Sequence, residues 1–124
     1  MKLAGRRAAS FATLLLAAAA ASSARAEDYV FRPSPQTDLN RMFRVETTTG
    51  EVGACQYAVK DGTVGVTLCF SAGEGAGPQE PGSYDLIASS HQQEGGVYRV
   101  ERRTGRMSAC YVLGEQVVCT PQAR

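Results

Sequence analysis

The chain has 124 residues with 13 basic and 12 acidic side chains, four cysteines, no tryptophan and a single histidine. One domain with a modest core fits that length, and a second independent one does not. The near-balanced charge excludes the strongly basic face of a dedicated nucleic-acid binder, and no cofactor signature is present.

At the start of the chain Lys2, Arg6 and Arg7 precede the apolar run Phe11 to Ala21, which gives way to small residues ending Ala24-Arg25-Ala26. These are the three regions of a secretory signal, so residues 1–26 are expected to form a helical leader cleaved to leave Glu27 as the mature N-terminus. The run falls short of the roughly 20 apolar residues a membrane span needs, so no transmembrane segment is expected in the mature protein. The expected destination is the periplasm or the outside of the cell. Removing the leader takes away four basic residues and no acidic ones, leaving 9 against 12 and a mature charge of −3.

A repeat organises what remains. Arg44-Val45-Glu46-Thr47-Thr48-Thr49-Gly50-Glu51-Val52-Gly53-Ala54-Cys55 aligns without a gap on Arg99-Val100-Glu101-Arg102-Arg103-Thr104-Gly105-Arg106-Met107-Ser108-Ala109-Cys110, an offset of 55 residues. The same offset places Tyr29 on Tyr84, Ser34 on Ser89 and Phe43 on Tyr98. The mature chain reads as repeat 29–70, linker 71–83 and repeat 84–120 within one domain, 27–124.

Each repeat reads as a β-meander. Met42 to Thr47, Glu51 to Val59 and Thr63 to Phe70 are rich in β-branched and aromatic residues, the last in strict alternation, and weaker strands precede them near Tyr29 to Arg32 and Tyr84 to Ala88. The joint Glu46 to Glu51 places a glycine where a tight hairpin needs positive φ and an acidic side chain where it can accept backbone hydrogen bonds. Asp61-Gly62 and Gly114-Glu115 supply the next turns. Ser34 to Arg41 and Ser89 to Gly96 are loops. The glycine- and proline-rich linker is expected to be a flexible connector. The fold class is therefore all-β: two tandem antiparallel meanders packed into one small disulfide-stabilised domain.

Four cysteines in a small exported domain read as two disulfides. Counting outward from Asp61-Gly62 and from Gly114-Glu115 sets Cys55 opposite Cys69 and Cys110 opposite Cys119, with crossed pairing between the repeats as the alternative. The wide cysteine spacing and lone histidine do not suit zinc, so no metal site is expected. Nor is there a Cys-x-x-Cys redox pair.

The pattern Arg-Val-Glu-x-x-Thr-Gly-x-x-x-x-Cys, followed after a short hairpin by a second cysteine, resembles a motif of many small uncharacterised exported proteins of proteobacteria. Their form is Arg-hydrophobic-acidic-x-x-Thr-Gly-x-hydrophobic-x-x-Cys. The likeness covers Met42 to Phe70 and Val97 to Thr120, about half the mature chain, and implies no known activity.

For chemistry, His91 in the polar run Ser89-Ser90-His91-Gln92-Gln93 reads as a solvated loop residue, and Glu46, Glu51, Asp61, Glu101 and Glu115 fall at hairpin ends where turn-capping suffices. No catalytic residue is assigned. The one departure from average is Arg99, Arg102, Arg103 and Arg106 on the second hairpin, where the first has Arg44, Thr47, Thr48 and Glu51. The expectation is a non-catalytic envelope module binding an anionic protein, glycan or lipid surface through these arginines. The alternatives are a small carboxylate-dependent hydrolase or an inhibitor of an exported enzyme.

Overall fold

The computed structural model describes residues 2–5, 7–16 and 28–124. Residues 2–5 and 7–16 are exposed and carry no helix or strand, and the remainder of the expected leader, with Ala24-Arg25-Ala26 and Glu27, lies outside the described residues. No helix among the described residues is long and apolar enough to cross a membrane.

The rest is all-β. β1 (Tyr29–Pro33), β2 (Arg41–Glu46), β3 (Val52–Ala58) and β4 (Val66–Ala72) form one antiparallel meander. β5 (Tyr84–Ile87), β6 (Val97–Glu101), β7 (Met107–Leu113) and β8 (Gln116–Cys119) form the other. Their registers coincide at the 55-residue offset: Tyr29 faces Glu46 as Tyr84 faces Glu101, and Met42 faces Cys55 as Val97 faces Cys110. The meanders join in one eight-stranded sheet of order β1-β2-β3-β4-β8-β7-β6-β5, and β4 pairs with β8 in parallel through Ser71–Gln116 and Ala72–Val117.

That junction dictates which side of each meander is inside. A mirrored strand order with parallel middle strands relates the halves by a half-turn about an axis along the strands. The half-turn sends every side chain and its counterpart to opposite faces. Level residues in a parallel pair must share a face, so the pleat demands an odd slip between the copies. The slip is five: Gln116, three residues before Cys119, corresponds to Val66, three before Cys69, yet it lies level with Ser71.

Burial follows the inversion. In the first meander Phe43, Val45, Val52 and Ala54 are core and Arg44 is exposed. In the second, the counterparts Tyr98 and Met107 are 45% and 55% exposed, while Arg99, the counterpart of Arg44, is 6% exposed. Ala76, Leu86, Val97, Cys110, Val117 and Cys119 complete the core.

The disulfides obey the same rule. Cys55–Cys69 lies on the outer face and Cys110–Cys119 in the core. Both bridge directly opposed residues with Cα atoms 4.0 and 4.1 Å apart. In the second, the Cys119 N–H points away from its partner strand, to the Glu74 carbonyl at 2.9 Å, which marks the close non-hydrogen-bonded pair that such a short bridge requires.

The linker is not a loose connector. β4 runs two residues past the expected end of the first repeat, to Ala72, and the segment after it is bonded along its length. Val52 donates to the Ala76 carbonyl, Gln79 to Thr49, Gly82 to Thr48 and Tyr84 to Thr47, and Ala76 is fully buried. Glycine and proline bar this segment from a ladder, but its carbonyls and amides still find partners on the first hairpin. The loops Ser34 to Asn40 and Ser89 to Gly96 also meet, through the Ser34 hydroxyl donating to Gly95 and the Thr37 N–H to Gln92.

Because one disulfide is exposed and the other buried, limited reduction of the folded protein should open Cys55–Cys69 first. Alkylation and peptide mapping at increasing reductant checks this. Loss of either bridge should cost about 2 to 4 kcal/mol by loop closure, and replacing the buried pair with alanines should cost more because a core cavity is added.

Candidate binding surface

The hairpins β2–β3 and β6–β7 share one turn chemistry. In the first, the Glu46 N–H donates to the Glu51 carbonyl and the Gly50 N–H to the Glu46 carbonyl, while the Glu46 carboxylate accepts the N–H groups of Thr48 and Thr49. The second repeats this through Glu101, Arg106 and Gly105, and the Glu101 carboxylate accepts four further donors: the N–H of Ser83, Arg103 and Thr104, and the Thr104 hydroxyl. Thr104 above all, then the Ser83 and other backbone bonds, pulls the Glu101 carboxyl down to about 2. The Thr49 bonds lower Glu46 in the same direction. Both carboxylates are thus fixed as turn clamps.

The turn puts the four arginines in three different places. Arg99 belongs to the interior and not to the expected binding surface: the face inversion turns it inward, where its guanidinium donates to the carbonyls of Gly50 at 2.9 Å and Gly75 at 3.0 Å. Gly50 (φ 74°) lies flat against the Tyr84 ring, and at Gly75 (φ 73°) a Cβ would strike the Cys119 carbonyl, so both acceptor positions require glycine. Burial lowers the Arg99 pKa, though an arginine has ample range to remain charged. Arg102 reaches Asp85, which also accepts the Leu86 N–H at 2.8 Å and has Arg32 of β1 at 3.8 Å. These contacts draw β5 against the β1 side of the sheet.

Arg103 and Arg106 remain. Both are exposed, and neither side chain has an ion-pair or hydrogen-bond partner among the described residues. They line a groove of about 540 Å³ between the linker, the second hairpin and the C-terminal residues, shared with Glu80, Tyr84, Met107 and Gln122. Gln122 holds that end in place by accepting the Met107 N–H at 2.8 Å.

A second groove, about 680 Å³, lies where the two loops meet β6 and β7, with His91, Glu94, Arg41, Tyr98 and Tyr111 on its walls. His91 is exposed there and its Nδ1 accepts the Gln93 N–H at 3.4 Å. The Arg41 guanidinium donates to Gln56 and stacks 5.2 Å over Phe70. Glu51, Asp61 and Glu115 are exposed at separate hairpin ends. No group of three or more metal-ligating side chains gathers among the described residues, and all four cysteines are in disulfides.

Asp85, which ties up Arg102, is a functional residue that the hairpin motif does not include. Its signal is a charge standing where the first copy has Val30.

Replacing Arg99 with lysine should lower stability by about 2 to 4 kcal/mol in denaturant unfolding. A lysine presents one ammonium on a flexible stem in place of two fixed guanidinium nitrogens, each bonded to its own carbonyl, and an unmade buried bond to a charged group costs on that order. Acid unfolding should report Glu101. Its folded value lies below the usual 4.5, so its contribution is complete above pH 4.5 and is lost as pH falls toward 2. The stability difference between wild type and Glu101→Gln should shrink over that window, followed by thermal melts at pH 5, 4, 3 and 2.

Compared with protein-family models, with curated proteins and with solved structures, the chain matches none, and the arrangement of its own residues is the basis for any functional reading.

Proposed function

We propose that the protein is exported, loses residues 1–26 and serves outside the cytoplasm as a non-catalytic module that binds an anionic partner through Arg103 and Arg106. The compartment is supported by the leader-like start of the chain and by two disulfides, which persist in oxidising surroundings.

One observation carries the binding reading. Of four clustered arginines, Arg99 and Arg102 are consumed by the fold, while Arg103 and Arg106 stand exposed and without a side-chain partner among the described residues, on a turn that Glu101 clamps. A guanidinium offers a planar fork to a carboxylate or phosphate, and a clamped turn lowers the ordering cost of binding. The groove beside them adds Tyr84 and Met107 as apolar contact. The counterparts Thr48 and Glu51 on the first hairpin carry no positive charge, so the two hairpins differ in what they can hold.

The test uses mature protein recovered after export, whose intact mass should correspond to a chain starting at Glu27. The double variant Arg103→Thr, Arg106→Glu copies the first hairpin and shifts the local charge by three units. Near an anionic surface each basic residue contributes about 1 kcal/mol, so binding to phosphatidylglycerol vesicles or an acidic polysaccharide should weaken about a hundredfold at low salt. The loss should shrink at 1 M salt, where screening acts within about 3 Å. Equal binding by variant and wild type would remove this surface from consideration.

A further inference from the structure

The five-residue slip leaves part of β4 without a neighbour. β8 covers β4 only at Ser71 and Ala72, so the outer edge of Val66 to Phe70 faces no strand among the described residues. The direction of its backbone groups follows from β3. The Val52 N–H points away from β2, to Ala76, so alternation aims Ala54, Gln56 and Ala58 at β4 and leaves Cys55–Cys69 a non-hydrogen-bonded pair. The N–H and C=O of Thr67 and Cys69 therefore point outward from the open edge.

This edge has none of the usual guards. From Thr63 to Ala72 there is no charge and no proline, and Val66 and Leu68 are 39% and 44% exposed on the face that continues the core beyond the reach of β8. The corresponding edge of β8 is covered by the linker, with the Gly73 N–H donating to the Val117 carbonyl and the Cys119 N–H to the Glu74 carbonyl, and just beyond it Pro121 stands at the position of Ser71.

We infer that this edge is where a second copy of the chain docks, β4 against β4 in antiparallel register about a twofold axis at Leu68. That register pairs Thr67 with Cys69 of the other copy and Cys69 with its Thr67, forming four backbone hydrogen bonds between the four outward groups of one copy and the four of the other. It sets Leu68 on Leu68 and Val66 on Phe70, covering the exposed apolar face. The strand carries no charge, so nothing opposes pairing with itself. The open window of Val66 to Phe70 is symmetric about Leu68, and at its start Gly65 (φ 101°) turns the chain out of the strand before it would meet β8 of the other copy. This pairing is independent of the arginine hairpin.

The experiment is sedimentation of the mature protein from micromolar to millimolar concentration, with Leu68→Lys and Leu68→Glu. Wild type should show a concentration-dependent dimer, each variant alone should be monomeric, and a mixture of the two should recover the dimer, because residue 68 of one copy meets residue 68 of the other. Far-UV circular dichroism verifies that the variants fold. Should both prove unfolded, Thr67→Pro, which removes one outward N–H, takes their place and should likewise abolish the dimer. A wild type monomeric throughout would overturn the inference and leave the edge to a strand of another protein. So would a dimer indifferent to residue 68, or the absence of recovery in the mixture.

Discussion

Everything in this domain depends on the parallel contact between β4 and β8. Two meanders of the same register could have joined antiparallel at that point and kept their faces alike. Joined in parallel they cannot, and each residue in one half looks the opposite way from its counterpart in the other. A single hydrophobic pattern cannot serve both orientations, which explains why aromatic and aliphatic residues are spread over both faces of the sheet. Phe43 is fully buried, whereas Tyr98 at the corresponding place keeps its ring half in solvent with a hydroxyl to satisfy.

The same inversion accounts for the most polar feature of the interior. The arginine that begins each hairpin motif stands outside in the first meander, with its guanidinium 5.2 Å over the Tyr29 ring. In the second it must go in. The fold accommodates the charge by bringing two backbone carbonyls to it, one from the opposite hairpin and one from the linker, and both come from glycines. A buried cation held by two fixed carbonyls joins three segments that are remote in sequence. It fixes where the linker lies and so forms one wall of the groove beside Arg103 and Arg106.

The strands, the turns and the equivalence of the two hairpins are legible in the residues because they are local. Glu46 and Glu101 reach N–H groups two and three positions ahead, and glycine occupies the left-handed position that the loop needs. What could not be read is non-local. The alternation of Tyr98 and Val100 against Arg99 and Glu101 points the apolar pair inward, and the fold places them on the other face. The inside is chosen by the junction of β8 with β4, a strand 25 to 35 residues away in the chain. Hence four arginines that look like one cluster occupy three environments. For the same reason Ala76, in a segment with the composition of a loose connector, is part of the core.

The odd slip has one more consequence. Were the two meanders separate identical molecules, the patch used by one would sit five residues from the patch used by the other, and every contact made would leave a second patch vacant at each end. Such an association is heterologous and does not close on itself, so single meanders would add to one another without limit, as subunits of a filament do. Carrying both halves on one chain ends the series after a single step. Of the two vacant ends that remain, only the one bearing Pro121 is blocked.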